Sequence, residues 1–161
     1  MSQSMLSEYI IKFARKDPGK FATPECRKTC ETGYSKSYEN DKTYGHEPYT
    51  VEANEESIKL DIMNNGPLAT GMTVYEDFVS YKNGIYKHVH GGRFMGDGGH
   101  AVRILGWGVE NETKYWLVAN SWNYYWGIDG PFKILRGTNE SGIEKSLVAG
   151  LPNFSRSNFL E

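Results

Sequence analysis

Two side chains in the second half of the sequence have types and a spacing that suit proton transfer. His100 opens the apolar run of "GGHAVRILGWG", and Asn120 ends the run "YWLVAN". If the two runs pair as neighbouring antiparallel strands, the start of one lies beside the end of the other. An amide oxygen beside an imidazole N–H fixes the tautomer of the ring and leaves its other nitrogen free to take a proton. The pair then forms the base and the orienting residue of a catalytic triad; the alternative is a histidine that is hydrogen-bonded for structure alone.

Three tryptophans stand close to this pair in the sequence. Trp116, Trp122 and Trp126 would cover His100 and exclude water, and a dry pocket strengthens the hydrogen bond between the imidazole and the amide. Ordinary packing of the three indoles in the core is the alternative.

One helix and a series of strands must position these residues. The segment "NEESIKLDIMNNGP" predicts a helix, because Asn54 can cap it, two glutamates suit the positive end of its dipole, and Asn65-Gly66-Pro67 stops it. The region from Cys26 to Tyr49 is predicted to be extended loop with short strands. After Pro67 the sequence changes to β-prone runs: "LATGMTVY", "GIYKHV", "HAVRILGWG", "YWLVANSW", "GPFKILRG" and "KSLVAGL". The pattern favours an α+β fold, in which an antiparallel sheet curls into a barrel with the helix packed on one side.

The composition narrows the function classes. The 161 residues carry 18 basic and 20 acidic side chains, so no excess of positive charge invites nucleic acid or an anionic membrane. No segment approaches the roughly 18 consecutive apolar residues of a membrane helix. The first residues lack the continuous apolar stretch of a secretory signal peptide.

Three motifs identify a family. "GGHAVRILGWG", "YWLVANSWNYYWG" and "FKILRGTNESGIE" closely resemble the second half of papain-like cysteine proteases, and the cathepsin B subgroup is the best match. The likeness extends back through "NGPLATGMTVYEDFVSYKNGIYKHV" and "TPECRKTCETGYSKSYENDKTYG", so it covers roughly residues 23 to 152. It implies the antiparallel barrel-like, right-hand half of the papain-like fold, with one packed helix and a loop-rich N-terminal region.

The resemblance assigns roles to individual residues. It makes His100 the catalytic base, Asn120 its orienting residue and Trp122 the indole that shields them. Three further residues fall where the family builds the pocket for the substrate residue second from the cut bond: Gly71, Ala101 and Glu144. In the family, a glutamate in this pocket allows the substrate residue to be basic.

The nucleophile that such an enzyme needs is not evident in this sequence. The family's cysteine lies in a C-G-[SA]-C-[WY] context, and its histidine follows about 130–150 residues later. Cys26 and Cys30 lack that context and stand much closer to His100. Gln3 is the only glutamine, and Tyr9 stands where the family has a cysteine after its oxyanion-hole glutamine. The helical first half, with nucleophile and oxyanion hole, is therefore expected to be absent from this chain.

These observations predict that the chain is a cathepsin B-like cysteine endopeptidase by family. They also predict that the 161-residue chain is inactive alone. A non-catalytic module that binds peptides or protease inhibitors, or a truncated relic, is the alternative. The expected partners are a peptide or protein substrate, a protease inhibitor and the missing N-terminal half of the fold, with no nucleic acid, membrane or cofactor. The resemblance implies a lysosomal or extracellular location, although no signal peptide is found.

Other features leave further alternatives open. The resemblance matches Cys26 and Cys30 to cysteines that form disulfides with the first half, and a metal site joining them to His88 and His90 is a weaker alternative without a standard zinc spacing. Glycosylation-type sequons begin at Asn111, Asn139 and Asn153. The predicted organisation is a short, irregular or helical segment over 1–22, the papain-like domain over 23–152 and a tail over 153–161.

Overall fold

The computed structural model describes residues 25–89 and 99–153. The chain divides into two compact units, Met1–Lys42 and Thr43–Glu161. The described part of the first unit, residues 25–42, is irregular loop with turns and bends, in which the Tyr34 hydroxyl donates a hydrogen bond to Asp41 at 2.8 Å. Its two cysteines are free thiols.

The second unit is built on one seven-stranded sheet. Its strands follow the order β1-β7-β2-β4-β5-β6-β3 across the sheet. Their bounds are β1 Gly45–Val51, β2 Leu68–Met72, β3 Ile85–Tyr86, β4 His100–Glu110, β5 Thr113–Ala119, β6 Phe132–Leu135 and β7 Leu147–Pro152. The α+β class and the resemblance to the papain-like fold are thereby confirmed.

The sheet differs from the predicted antiparallel barrel in two ways. Strands β1 and β3 form its two edges and do not pair with each other in the described residues, so hydrogen bonds do not close it into a barrel. Strand β3 pairs parallel with β6, through Ile85 opposite Lys133 and Tyr86 opposite Ile134, whereas every other pairing is antiparallel. Alternation of apolar residues carries no information on strand direction, which explains the error.

The hairpin of β4 and β5 is the longest pairing and carries both candidate residues at its open end. Its register runs from Arg103 opposite Ala119 to Glu110 opposite Thr113, with an irregularity between Ile104 and Gly106. Asn111 and Glu112 form the connection with φ of 48° and 62°. Two consecutive positive φ values match the twist of the flanking strands in a two-residue turn.

Two α-helices accompany the sheet within residues 25–89 and 99–153. Helix α1 spans Glu55–Asn65, and the Asn54 side chain accepts a hydrogen bond from the Ser57 N–H, so the predicted cap is confirmed. Gly66 ends the helix with φ of 94°. Helix α2, Glu76–Val79, follows β2 and was not predicted, because four residues are too short to show a helical period. No helix in residues 25–89 or 99–153 is long and apolar enough to span a bilayer.

The core lies between α1, α2 and one face of the sheet. Ile58 of α1 and Phe78 of α2 are fully buried. They join apolar side chains of the sheet that are also fully buried: Leu68, Ile104, Trp116, Val118, Phe132 and Ile134. Strands β4 and β5 are therefore anchored by buried side chains close to the ends that carry His100 and Asn120, which fixes the position of those two residues.

Candidate active site

His100 and Asn120 meet where strands β4 and β5 begin and end. His100 is the first residue of β4 and pairs with Met72 of β2, and Asn120 directly follows β5. Nε2 of His100 lies 2.7 Å from Oδ1 of Asn120. The strand pairing predicted from the sequence therefore brings the two side chains into a direct hydrogen bond.

The backbone of Ser121 determines the chemistry of this contact. Its N–H donates to Oδ1 of Asn120 at 2.8 Å. Because a backbone N–H can only donate, Oδ1 is an acceptor, and Nε2 of His100 must be the donor in their shared hydrogen bond. The neutral ring then carries its proton on Nε2, and Nδ1 keeps a lone pair that can accept a proton. Sequence reasoning missed Ser121, whose only signal is its position next to an asparagine.

The other end of the Asn120 amide lacks a partner. Its Nδ2 is buried and makes no hydrogen bond within residues 25–89 and 99–153. Leaving a buried donor unpaired costs about 1–3 kcal/mol. The amide is therefore oriented so that Oδ1 accepts two hydrogen bonds, although Nδ2 is left without an acceptor.

Trp122 covers the histidine ring. Its ring centroid lies 5.3 Å from that of His100, with the two planes tilted by 33°. Trp122 in turn packs edge-on against Trp126 and Phe78, with ring centroids 4.8 Å and 5.5 Å away. Trp122 therefore lies next to the His100 ring, and Trp126 packs against Trp122. Phe78, which supports the indole from α2, was missed.

Trp116 does not belong to this cover. It is fully buried, and its Nε1 donates to Oε1 of Glu144 at 2.7 Å. The prediction that all three tryptophans roof the histidine is wrong for Trp116. The alternation of β5 explains the difference, because it turns Trp116 and Val118 into the core.

Gly71 and Ala101 lie side by side. They are directly opposite each other in the pairing of β2 with β4, one position along from the pair of Met72 and His100. Gly71 leaves space beside Ala101, since no atom lies within 4 Å of a side-chain position built on it. An open cleft of about 290 Å³ adjoins this point and is lined by Ala101, Val102, Arg103, Ala119, Asn120 and Ser121.

The Glu144 carboxylate serves its own loop. Oε1 accepts hydrogen bonds from the Trp116 indole at 2.7 Å and from the Gly137 N–H at 2.6 Å, and Oε2 accepts one from the Asn139 N–H at 2.8 Å. The Asn139 side chain also contacts Glu144, since its Oδ1 accepts a hydrogen bond from the Glu144 N–H. Both oxygens are therefore committed to Trp116 of β5 and to the segment between β6 and β7.

A histidine–carboxylate contact joins His88 to Asp77 of α2. Nδ1 of His88 lies 3.1 Å from Oδ2 of Asp77, and the His88 ring stacks on Tyr75 at 3.7 Å. Asp77 also accepts hydrogen bonds from the Tyr86 hydroxyl and the Val89 N–H. Burial alone would raise the pKa of Asp77, but these donors outweigh it and hold that pKa below its usual value. Burial and the same carboxylate raise the pKa of Tyr86.

The metal alternative receives no support from the described residues. Residues 25–89 and 99–153 contain no group of three or more histidine, cysteine, aspartate or glutamate side chains placed to hold an ion. His88 pairs with Asp77, and His90 lies outside the described residues, as do Gln3 and Tyr9.

The sequence comparison decides the family. Residues 4–151 match the family described as "Papain family cysteine protease". The chain belongs to the papain family of cysteine proteases. The resemblance drawn from the motifs around His100 and Asn120 is thereby confirmed.

Relatives within the papain family are cathepsin B-like. The chain is 53% identical over 131 residues to a cathepsin B-like cysteine proteinase of Schistosoma japonicum and 50% identical over 138 residues to cathepsin B-like cysteine proteinase 5 of Caenorhabditis elegans. The chain spans 37% and 39% of the lengths of these two relatives. A third relative, cathepsin B-like cysteine proteinase 3 of Ostertagia ostertagi, is 50% identical over 129 residues, and the match spans 80% of this chain and 72% of the relative.

A solved structure agrees with this membership of the papain family. Procathepsin B S9 from Trypanosoma congolense matches with a TM-score of 0.73 and 44% identity, over 83% of this chain and 44% of that chain. The digestive procathepsin L 3 of Tenebrio molitor, 22% identical with a TM-score of 0.53, shares the fold. This chain thus spans less than half of either structure.

Proposed function

We propose that this chain acts in peptide-bond hydrolysis as the part of a cathepsin B-like cysteine protease that holds the base and its orienting residue. The observation that carries the proposal is the 2.7 Å contact of His100 with Asn120, in which Ser121 fixes the amide and leaves Nδ1 of the imidazole as a proton acceptor. An imidazole so placed takes the proton of a thiol, and the resulting imidazolium keeps the thiolate ionised for attack on a peptide carbonyl.

The other predicted site residues take positions around this base in the proposal. Trp122 shields the hydrogen bond of His100 with Asn120 from water, which strengthens it. Gly71 and Ala101 form a wall of the pocket for the substrate residue second from the cut bond, because their pair adjoins the one that holds His100. We expect Glu144 to hold the adjoining loop, because its carboxylate accepts hydrogen bonds from Trp116, Gly137 and Asn139.

The nucleophile must come from outside these 161 residues in the proposed reaction. The sequence holds two cysteines, Cys26 and Cys30, and neither has the context of the family's nucleophile. We therefore expect the 161-residue chain to hydrolyse no peptide by itself, and we expect activity when a papain-like N-terminal half supplies the thiol and the oxyanion donors. A lysosomal or extracellular setting remains part of the proposal.

A complementation experiment tests this function. The purified chain is assayed on a fluorogenic dipeptide amide, alone and after mixing with the separately produced N-terminal half of the Trypanosoma congolense relative, with His100→Ala as a matched control. Turnover is expected in the mixture with the unchanged chain only. Equal turnover with His100→Ala would exclude His100 as the base, and turnover by the chain alone would show that the nucleophile lies within it.

A non-catalytic role in peptide or inhibitor binding is the second candidate. The observation in its favour is the cleft of about 290 Å³ beside Asn120, whose wall includes the exposed side chains of Ala101, Arg103 and Ser121. Saturable binding of a peptide to the isolated chain, with no turnover in the complementation mixture, would favour this role over catalysis.

A further inference from the structure

The tip of the β4–β5 hairpin carries a sequon in an accessible position. Asn111 and Glu112 are the two turn residues, and Thr113 starts β5, so the triplet Asn-Glu-Thr spans the turn. Asn111 and Glu112 are exposed. The Thr113 hydroxyl donates to the Asn111 carbonyl at 3.4 Å, while the Asn111 side chain makes no hydrogen bond within the described residues. A side chain in this position can carry a large group without displacing any packed neighbour.

We propose that Asn111 is an N-glycosylation acceptor whenever the chain passes through a compartment that contains the glycosylation machinery. The ligand class is the oligosaccharide of a lipid-linked oligosaccharide diphosphate. In the transfer, Nδ2 of Asn111 forms a bond to the first sugar carbon as the bond from that carbon to the lipid diphosphate breaks. The diphosphate leaves with the electron pair, and the amide nitrogen gives up one proton to a base of the transferase.

The location of Asn111 keeps a glycan away from the candidate active site. Strand β4 runs for 11 residues from His100 to Glu110. At about 3.3 Å for each residue, the tip lies about 36 Å along the strand from His100. Val109, which is 62% exposed, stands two residues before Asn111 in the sequence, so a polar glycan there would help to keep this apolar side chain soluble.

The sequon at Asn139 offers a matched contrast, because it has the same middle residue. Oδ1 of Asn139 accepts a hydrogen bond from the Glu144 N–H, and the Ser141 hydroxyl donates to Glu140. The Ser141 carbonyl also accepts a hydrogen bond from the Thr73 N–H, which ties this loop to the end of β2. The amide and the hydroxyl of this sequon thus bond within their own loop, whereas those of the hairpin tip make no long-range hydrogen bond with any described residue.

Expression of the full chain behind a cleavable leader in insect cells tests the proposal. Removal of the leader shows that a molecule reached the lumen, and only those molecules are measured by intact mass before and after treatment with peptide N-glycosidase F. Whatever the state of the sequon at Asn153, the unchanged chain is expected to lose a glycan at Asn111, located by the Asn-to-Asp conversion that the enzyme leaves. Thr113→Ala should abolish that glycan although it retains Asn111, and Ser141→Ala should leave it in place.

Two outcomes would overturn the assignment. One is a processed chain in which Asn111 remains unmodified. The other is a glycan that persists in Thr113→Ala and disappears in Ser141→Ala, which would move the modification to Asn139. Neither depends on peptidase activity, so the test separates this site from the proposed function.

Discussion

Nε2 of His100 donates a hydrogen bond to Oδ1 of Asn120 over 2.7 Å, although the two residues are twenty positions apart in the sequence. The hairpin explains the contact: β4 leads away from His100 to the turn at Asn111, and β5 returns to Asn120. Burial of Ile104 and Val118, which face each other along the hairpin, fixes the register. The orientation of the imidazole is therefore a consequence of core packing several residues away.

We expect the neutral His100 ring to be the tautomer with its proton on Nε2. In Asn120→Ala the acceptor is lost, so the ring should populate both tautomers and lose its fixed orientation. Nitrogen-15 NMR of the imidazole nitrogens measures this distribution. Asn123→Ala is the control, because Asn123 accepts a hydrogen bond from the Tyr125 N–H and makes none with His100. A proton on Nδ1 in the unchanged chain would contradict the proposed base.

Asp77 should make the stability of the second unit dependent on acid pH. Its pKa is lowered in the folded protein, so its contribution is complete above 3.8, its ordinary value, and is lost as the pH falls through the lowered pKa. Asp77→Asn should therefore reduce the free energy of unfolding at neutral pH by about 1–3 kcal/mol, since hydrogen bonds to a charged group are lost. Urea unfolding at neutral pH and at about pH 3 measures the change, which should shrink at the lower pH.

The control for Asp77 is an exposed aspartate with one hydrogen bond. Asp41 accepts a hydrogen bond from the Tyr34 hydroxyl in the first unit, and Asp41→Asn should change the free energy of unfolding by no more than about 0.5 kcal/mol. An Asp77→Asn penalty of the same size at both pH values would show that the carboxylate charge is not what stabilises α2 and β3.

The sequence predicted the parts of this structure that depend on local signals and on one pairing. The cap at Asn54, the turn at Gly66 and the strands on each side of Asn111 were predicted, because capping, glycine and alternation act within a few residues. The contact of His100 with Asn120 followed from the hairpin alone. The commitment of Glu144 to Trp116 could not be predicted, since it depends on the path of a loop with several residues at positive φ.

Glu144 should contribute to stability more than to the choice of substrate. Glu144→Ala removes the acceptor of three hydrogen bonds and should lower the free energy of unfolding by about 2–4 kcal/mol, measured by urea titration. Glu144→Gln should recover only part of this, because its amide nitrogen cannot accept from a backbone N–H. Trp116→Phe removes one donor and should cost less than Glu144→Ala.

A neighbouring glutamate supplies the control for this loop. Among the described residues the Glu140 carboxylate accepts one hydrogen bond, from the adjacent Ser141 hydroxyl, so Glu140→Ala should change the free energy of unfolding by no more than about 1 kcal/mol. The opposite result would support the role in the substrate pocket that the resemblance implies for Glu144. If Glu144→Ala left stability unchanged and weakened the binding of peptides with a basic residue, its carboxylate would belong to the substrate pocket.

Arg136 and Glu55 should behave as one coupled unit in a double-mutant cycle. The Arg136 side chain is 4% exposed, its Nη1 lies 2.6 Å from Oε1 of Glu55 at the start of α1, and its Nη2 donates to the Gly108 carbonyl. Glu55→Gln leaves a buried guanidinium without its counter-charge and should cost about 3–5 kcal/mol. Arg136→Met removes that charge, so the double variant should be more stable than the sum of the two single changes predicts, by at least about 1 kcal/mol.

Lys114→Met is the control for the double-mutant cycle, because Lys114 contacts the same carboxylate from an exposed position. This change should cost no more than about 1 kcal/mol in the free energy of unfolding. Additive costs within about 0.5 kcal/mol would show that the ion pair does not join α1 to the end of β6.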